Sequence, residues 1–420
     1  MKSIFLAVIA VSGAMAQSQV AANTELVKAM PGFKPAVVQG VSASAMSVGC
    51  TPIEQYGGGV SVSDNSTALN TALANLSGTG GCIYFGSGKY VFTNQVSYTY
   101  PGPSVFGVRI VGSGQDATIL NWSSGNGLVL NVSNLGDSFG IEDLSFTTTT
   151  AGNNTYGFIA NGPASLNQPI PAAISSFKNV SFRGDDCYSC NYYWGTAIYI
   201  NGWSNVNLVN SSATGKAPGA NGYSSAGVGL RLNSTATPPG VQYNVFGGNF
   251  NFYLYGIEYG GYSQGLTVNQ TNFVGNTYGI YTPSGSHVVQ LNVSNSQFSS
   301  STAGIADVSG ILYTQLINNQ FIEPPGSTGV YLNVNAGFNI VGNTFAFSGV
   351  GSNSSTSGIV IGQHIGSAGV ITGNLFSSLN YGVLLGSTSA NTNVQSNAYA
   401  GNTTNVANNG TNNVIAGGSP

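Results

Sequence analysis

The chain has 420 residues, of which 60 are Gly, 22 Tyr and 20 Phe, and only 5% are charged, for a formal charge of −3. So little charge, slightly acidic in balance, offers no basic surface for a phosphate backbone and excludes nucleic acid as an expected partner. No apolar run approaches the roughly 18 residues of a membrane span, and the abundant aromatics argue against disorder.

Residues 1–16 read as a secretory signal: Lys2, an apolar stretch from Ile4 to Val11, then Ala14-Met15-Ala16 before Gln17. A secreted or cell-surface protein is expected. Residues 17–48 are small and polar, with Pro31 and Pro35, and read as an extended lead-in. Export permits disulfides, and the four cysteines allow three pairings. Cys50 with Cys82 and Cys187 with Cys190 are the favoured ones. The Cys-x-x-Cys pair has no second pair and no neighbouring His to make a zinc site, so no metal is expected there.

From Cys50 the text becomes structured. "CTPIEQYGGGV" reads as a strand and a Gly turn. "DNSTALNTALANL" reads as a helix with Asp64 or Ser66 as N-cap, and Ala68, Leu69, Ala72, Leu73 and Leu76 on one apolar face. "CIYFGSGKYVF" follows as strand, turn and strand. A lone amphipathic helix ahead of many strands suits the open end of a coil stack, which needs a cap.

The order Tyr56-Gly-Gly-Gly, Asp64-Asn-Ser-Thr-Ala-Leu, Gly80-Gly81-Cys82-Ile83-Tyr84-Phe85 and Gly88-Lys89-Tyr90 resembles the opening of the pectate-lyase-like superfamily, of the rhamnogalacturonase and epimerase-like type. The resemblance covers about residues 50–95 and implies a right-handed parallel β-helix. It does not single out an activity, because the superfamily holds lyases, hydrolases, phage tailspikes and proteins without catalysis.

Behind this opening runs a repeat. Aromatic anchors stand at Phe250, Phe273, Phe298, Phe321, Phe345, Phe376 and Tyr399, at a period of about 23–31 residues. Between them lie Gly256-Ile257, Gly279-Ile280, Gly304-Ile305, Gly329-Val330, Gly358-Ile359 and Gly382-Val383, and an Asn recurs at 319, 343, 374 and 397. These Asn should stack as a hydrogen-bonded ladder. The same motif reaches back through "NGLVLN", "YGFIAN", "GTAIYING" and "GVGLRLN". The expected fold is therefore all-β: one right-handed parallel β-helix over 49–420, of about ten coils, with its N-terminal cap and first strands at 49–95. Insertions between Phe146 and Phe250 should form loops on one face.

Strand alternation turns the repeat into a geometric prediction. The residue after each Gly-aliphatic pair should point outward, which gives the column Val129, Ile159, Tyr199, Arg231, Glu258, Tyr281, Ala306, Tyr331, Val360 and Leu384. Arg231 and Glu258 would be neighbours between Tyr199 and Tyr281, with Trp194, Tyr253, Tyr255, Tyr259 and Tyr262 nearby. Flat aromatic faces and hydroxyls suit a sugar chain. Arg231, always protonated, is assigned to a substrate carboxylate and not to proton abstraction. Asp185 and Asp186 lie in the insertion before the Tyr199 strand, and with Glu258 they supply the carboxyl groups that glycoside hydrolysis requires.

"GDDC" at 184–187 resembles the Asp-Asp-Cys motif of polygalacturonases, which implies catalytic aspartates. That family's Gly-His-Gly and Arg-x-Lys are absent here, and His287 and His364 are read as structural. Resemblance to pectate lyases implies Ca²⁺ should the chemistry be a lyase's, but two Asp and one Glu are few for a six- to eight-oxygen site. No cofactor is otherwise expected. The leading expectation is an exported protein that binds and cleaves an extracellular polysaccharide. The alternatives are a non-catalytic, adhesin-like glycan binder and a tailspike-type depolymerase.

Overall fold

The computed structural model describes residues 49–416, except 103–105, 133–135, 164–172, 187–190, 217, 219–221, 237–238, 350–354, 365 and 367. The expected signal peptide, the lead-in and the Cys187–Cys190 pair fall outside the described residues.

Each coil contributes a parallel strand to three sheets in turn. The first sheet runs from Cys50–Pro52 and Gly81–Tyr84 to Val414–Ala416. The second runs from Gly88–Phe92 to Ala398–Ala400, and the third from Val96–Thr99 to Thr404–Asn408. The chain is thus a right-handed parallel β-helix of about 11 turns. This agrees with the expected count of about ten, and Val96–Thr99 and Thr404–Asn408, the outermost strands of the third sheet, lack the Gly-aliphatic signature.

The helix Ser66–Asn75 caps the N-terminal end, and the face expected to be apolar is buried throughout: Ala68, Leu69, Ala72, Leu73 and Leu76 all belong to the core. Asn65 holds the N-cap position, without a side-chain cap bond. Asp64 works one residue earlier, where its carboxylate accepts from Ser66 N at 2.9 Å, Ser66 Oγ at 2.6 Å and Thr93 Oγ1 at 2.6 Å. Burial would raise this carboxyl, but those hydrogen bonds outweigh it and hold it well below the usual carboxylate range.

The period of the sequence is the packing of one coil on the next. Rings of Phe250, Phe273, Phe298, Phe321, Phe345, Phe376 and Tyr399 stack along the second sheet, with centroids 4.7–6.1 Å apart. Each recurrent Gly is the partner of a ring. A Cβ on Gly304 would stand 2.7 Å from Phe321 Cδ1 and 2.7 Å from Gly329 O, and a Cβ on Gly279 would meet Phe298 Cδ1 at 2.6 Å. Glycine recurs because the ring and the next coil's carbonyl already occupy that space. The expected Asn ladder is present and buried. Asn319 Nδ2 donates to Asn343 Oδ1, Asn343 Nδ2 to Asn374 Oδ1 and Asn374 Nδ2 to Asn397 Oδ1, each at 3.0 Å. The disulfide Cys50–Cys82 joins the first two strands of the first sheet, where the two residues are register partners.

Candidate functional site

The outward column of the third sheet follows the expected order residue by residue. Val129, Ile159, Tyr199, Arg231, Glu258, Tyr281, Ala306, Tyr331, Val360 and Leu384 are successive register partners, extended by Ser97 at one end and Ala407 at the other. Their inward neighbours Ile198, Leu230, Ile257, Ile280 and Ile305 are core residues. Coil-to-coil spacing of about 4.8 Å sets the interval of the column.

Arg231 and Glu258 form an ion pair. Nη2 lies 3.0 Å and Nε 3.2 Å from Glu258 Oε2, with side chains 30% and 20% exposed. This geometry uses one edge of the guanidinium and leaves Nη1 without a hydrogen bond among the described residues. The guanidinium also lies 6.0 Å from the Tyr199 ring centroid, within cation–π reach. Tyr199 stacks on Tyr156 at 5.7 Å. On the other side Tyr255 stacks on Tyr281 at 4.6 Å with the planes 10° apart, and Tyr278 lies 5.5 Å and 5.0 Å from those two rings. Burial pushes the Tyr255 and Tyr281 hydroxyls above the ordinary tyrosine range, and the neighbouring tyrosines and Glu258 add to the rise. Both therefore stay protonated donors at neutral pH. A groove of about 430 Å³ opens beside this cluster, lined in part by Tyr156, Thr196, Arg231 and Tyr255.

Not every residue singled out from the sequence faces this groove. Trp194 and Tyr259 are fully buried, as is Tyr253, and none of them can touch an external chain. Tyr259 follows Glu258, so alternation turns it inward, where its hydroxyl donates to the carbonyls of Ser263 and Gln290. At Trp194 the register shifts before Thr196, and the indole packs against Trp122 while Nε1 donates to Phe146 O. The three candidate carboxylates each have a different partner. Glu258 holds Arg231, Asp185 is bound by Lys89 of the second sheet, and Asp186 accepts from Asn191 N at 3.1 Å within its own loop.

Several residues escaped the sequence reading. Tyr156 and Tyr278 each precede the Gly of an aligned strand, Gly157-Phe158 and Gly279-Ile280, as Tyr255 does, and that shared offset was the available signal. Asn131, Asn161, Asn201 and Asn233 form an outward file beside the column, with Asn161 Nδ2 donating to Asn131 Oδ1 at 2.8 Å and Asn201 Nδ2 to Asn161 Oδ1 at 3.2 Å. A second Arg–Glu pair, Arg109 with Glu142 at 2.9 Å, sits on the first sheet. Glu323 is a buried carboxyl inside the helix. Its Oε2 accepts from Ser300 N at 2.9 Å, while Oε1 has no partner among the described residues, and desolvation pushes it up to about 8. His364 is buried, with Nδ1 3.2 Å from Thr392 Oγ1 and Nε2 3.2 Å from Ala336 O, and His287 stacks on Tyr262 at 4.5 Å. His364 is thus enclosed in the core, whereas His287 is exposed.

No curated protein sequence matches the chain. Solved structures of similar fold include the A-module of the mannuronan C-5 epimerase AlgE6 from Azotobacter vinelandii, at TM-score 0.52 and 16% identity, covering 88% of this chain and 99% of that one. DFA-IIIase from Arthrobacter chlorophenolicus A6 aligns at TM-score 0.54 and 12% identity, over 83% of this chain and 94% of that one. The catalytic unit of the GH87 α-1,3-glucanase from Streptomyces thermodiastaticus strain HF3-3 aligns at TM-score 0.52 and 12% identity, over 90% and 70%. Identities this low carry the fold alone. The family model described as periplasmic copper-binding protein (NosD) matches residues 204–415, half of the sequence and the whole run of regular coils, and the chain belongs to this family.

Proposed function

We propose that this protein is an exported glycan-binding β-helix that holds a carboxylate-bearing polysaccharide along the outer face of its third sheet. The observation that carries this is the sequence of outward side chains over four adjacent coils: Tyr199, Arg231, Glu258, Tyr281. The rings of Tyr199 and Tyr281 offer flat surfaces to sugar faces. Arg231 presents its unused Nη1 to a uronate carboxylate, and Glu258 orients the guanidinium while accepting from sugar hydroxyls. Support for export comes from the Cys50–Cys82 disulfide and from the family's description as periplasmic. No helix among the described residues is long and apolar enough to cross a membrane.

Binding is favoured over hydrolysis because hydrolysis needs two carboxyl groups about 5–9.5 Å apart across one bond. Of the candidate carboxylates only Glu258 stands in the outward column, paired with Arg231, while Asp185 is held by Lys89 of the second sheet and Asp186 within its own loop, which supports binding as the first reading.

The family description names copper, and the described residues do not fit it. Copper sites draw on thiolate, thioether and imidazole donors. Cys50 and Cys82 are joined to each other, both ring nitrogens of His364 are engaged by Thr392 and Ala336, and the exposed His287 stacks on Tyr262 without two further donors beside it. Among the described residues no three of His, Cys, Asp or Glu stand together as a metal-holding group.

Incubation with alginate, polygalacturonate and neutral polysaccharides tests the proposal, comparing wild type with Glu258→Gln and Asp186→Asn. The expected result is binding of an acidic polymer without new reducing ends. New reducing ends that vanish in Glu258→Gln would replace binding with hydrolysis, and unsaturated uronide would indicate a lyase.

A further inference from the structure

The first sheet carries its own outward files, and their chemistry differs from that of the third. Asn207, Asn244, Thr267 and Asn292 are register partners on four successive coils. Two residues earlier in each coil stand Asn205, Gln242, Gly265 and Gln290. Asn244 Nδ2 donates to Asn207 Oδ1 at 2.9 Å, which leaves Asn207 Nδ2 as donor and Asn244 Oδ1 as acceptor toward solvent. These files line a groove of about 410 Å³ with no charged side chain among the described residues of its wall.

We propose that this groove is a second saccharide site, taking a neutral glycan chain. Amide side chains combine donor and acceptor at one position, and so match vicinal sugar hydroxyls, which also do both. Without a cation, the groove gives a phosphate or uronate chain nothing to pair with. It also lacks the apolar centre that a protein partner requires, since Ile174 is its one large apolar side chain. Ile174 is 68% exposed at the end of the groove and offers an apolar edge to a sugar face. Gly265, at φ +76°, leaves a gap in the file between Gln242 and Gln290. A Cβ there would meet nothing closer than Gln242 N at 3.7 Å, so a sugar ring has room to settle on bare backbone. Coil spacing of about 4.8 Å repeats the amides along the groove, as a polymeric ligand would need.

Affinity electrophoresis of the full chain in gels containing galactomannan, xyloglucan or dextran tests the site, with alginate as a separate arm. At least one neutral polymer should retard the wild type. Asn207→Ala/Asn244→Ala should weaken that retardation at least 10-fold, as should Thr267→Arg, which fills the groove and leaves the hydrogen bond between the Asn207 and Asn244 amides intact. The proposal is overturned by an unretarded wild type in all three neutral gels or by wild-type retardation of both groove variants. Failure in the alginate arm alone counts against the third-sheet reading and leaves this one standing.

Discussion

Arg231 and Glu258 face each other on adjacent coils as direct register partners, joined through a single carboxylate oxygen at 3.0 Å and 3.2 Å. They are partly exposed, and such pairs contribute at most about 1 kcal/mol to stability. A double-mutant cycle with Arg231→Ala and Glu258→Ala, read by chemical denaturation, should give a coupling energy below about 1 kcal/mol. A coupling well above that would make the pair part of the scaffold.

The ring-and-glycine packing predicts intolerance of a single methyl group. Gly304→Ala forces a Cβ against Phe321 and the Gly329 carbonyl. It should destabilise the protein by about 1–3 kcal/mol, the usual cost of overpacking. The exposed Gly285, with nothing near its Cβ, is at +80° in φ and makes a poor control. Thr302→Ser, on the exposed surface of the same coil, should change stability by less than about 0.5 kcal/mol.

Glu323 makes stability depend on pH. Its folded-state value, raised to about 8 by desolvation, lies above the ordinary value of 4.5. The unfolded chain therefore releases this proton first. Its contribution is complete below about pH 4.5 and is lost as pH rises through about 8. Melting temperature should fall across that window, and Glu323→Gln should flatten the fall. An unchanged slope in the variant would show that another group is responsible.

The Cys50–Cys82 bridge closes a loop with a sequence separation of 32 residues next to the capping helix. Loop entropy gives it about 3–4 kcal/mol. Cys50→Ala/Cys82→Ala should lose stability of that order, and reductant should lower the wild-type melting temperature toward that of the variant.

Wherever the chain repeats, the fold was legible. Phe298, Gly304 and Asn319 recur because a stacked coil demands the same ring, the same gap and the same amide at each level, so period alone placed Arg231 beside Glu258. The same alternation rule would have turned Tyr259 inward had it been applied one residue further. Legibility ended where the period did. Asp185 lies in an insertion, and its partner Lys89 is distant in sequence and is brought near only by stacking of irregular coils. Trp194 was hidden by a register shift. Glu323 stands two residues after the anchor Phe321 and so on the same inward face, but a carboxylate there reads as a surface residue by its charge alone.

Binding of a uronate oligosaccharide by calorimetry is the most direct measure of the third-sheet face, using wild type, Arg231→Ala and Tyr255→Ala/Tyr281→Ala. The rings predict a loss of about 1–3 kcal/mol, or about 5- to 150-fold, for the tyrosine pair. Arg231→Ala should cost at least 10-fold for the acidic ligand and little for its carboxyl-reduced counterpart. Equal affinity of all three proteins for the uronate would contradict the assignment of this face.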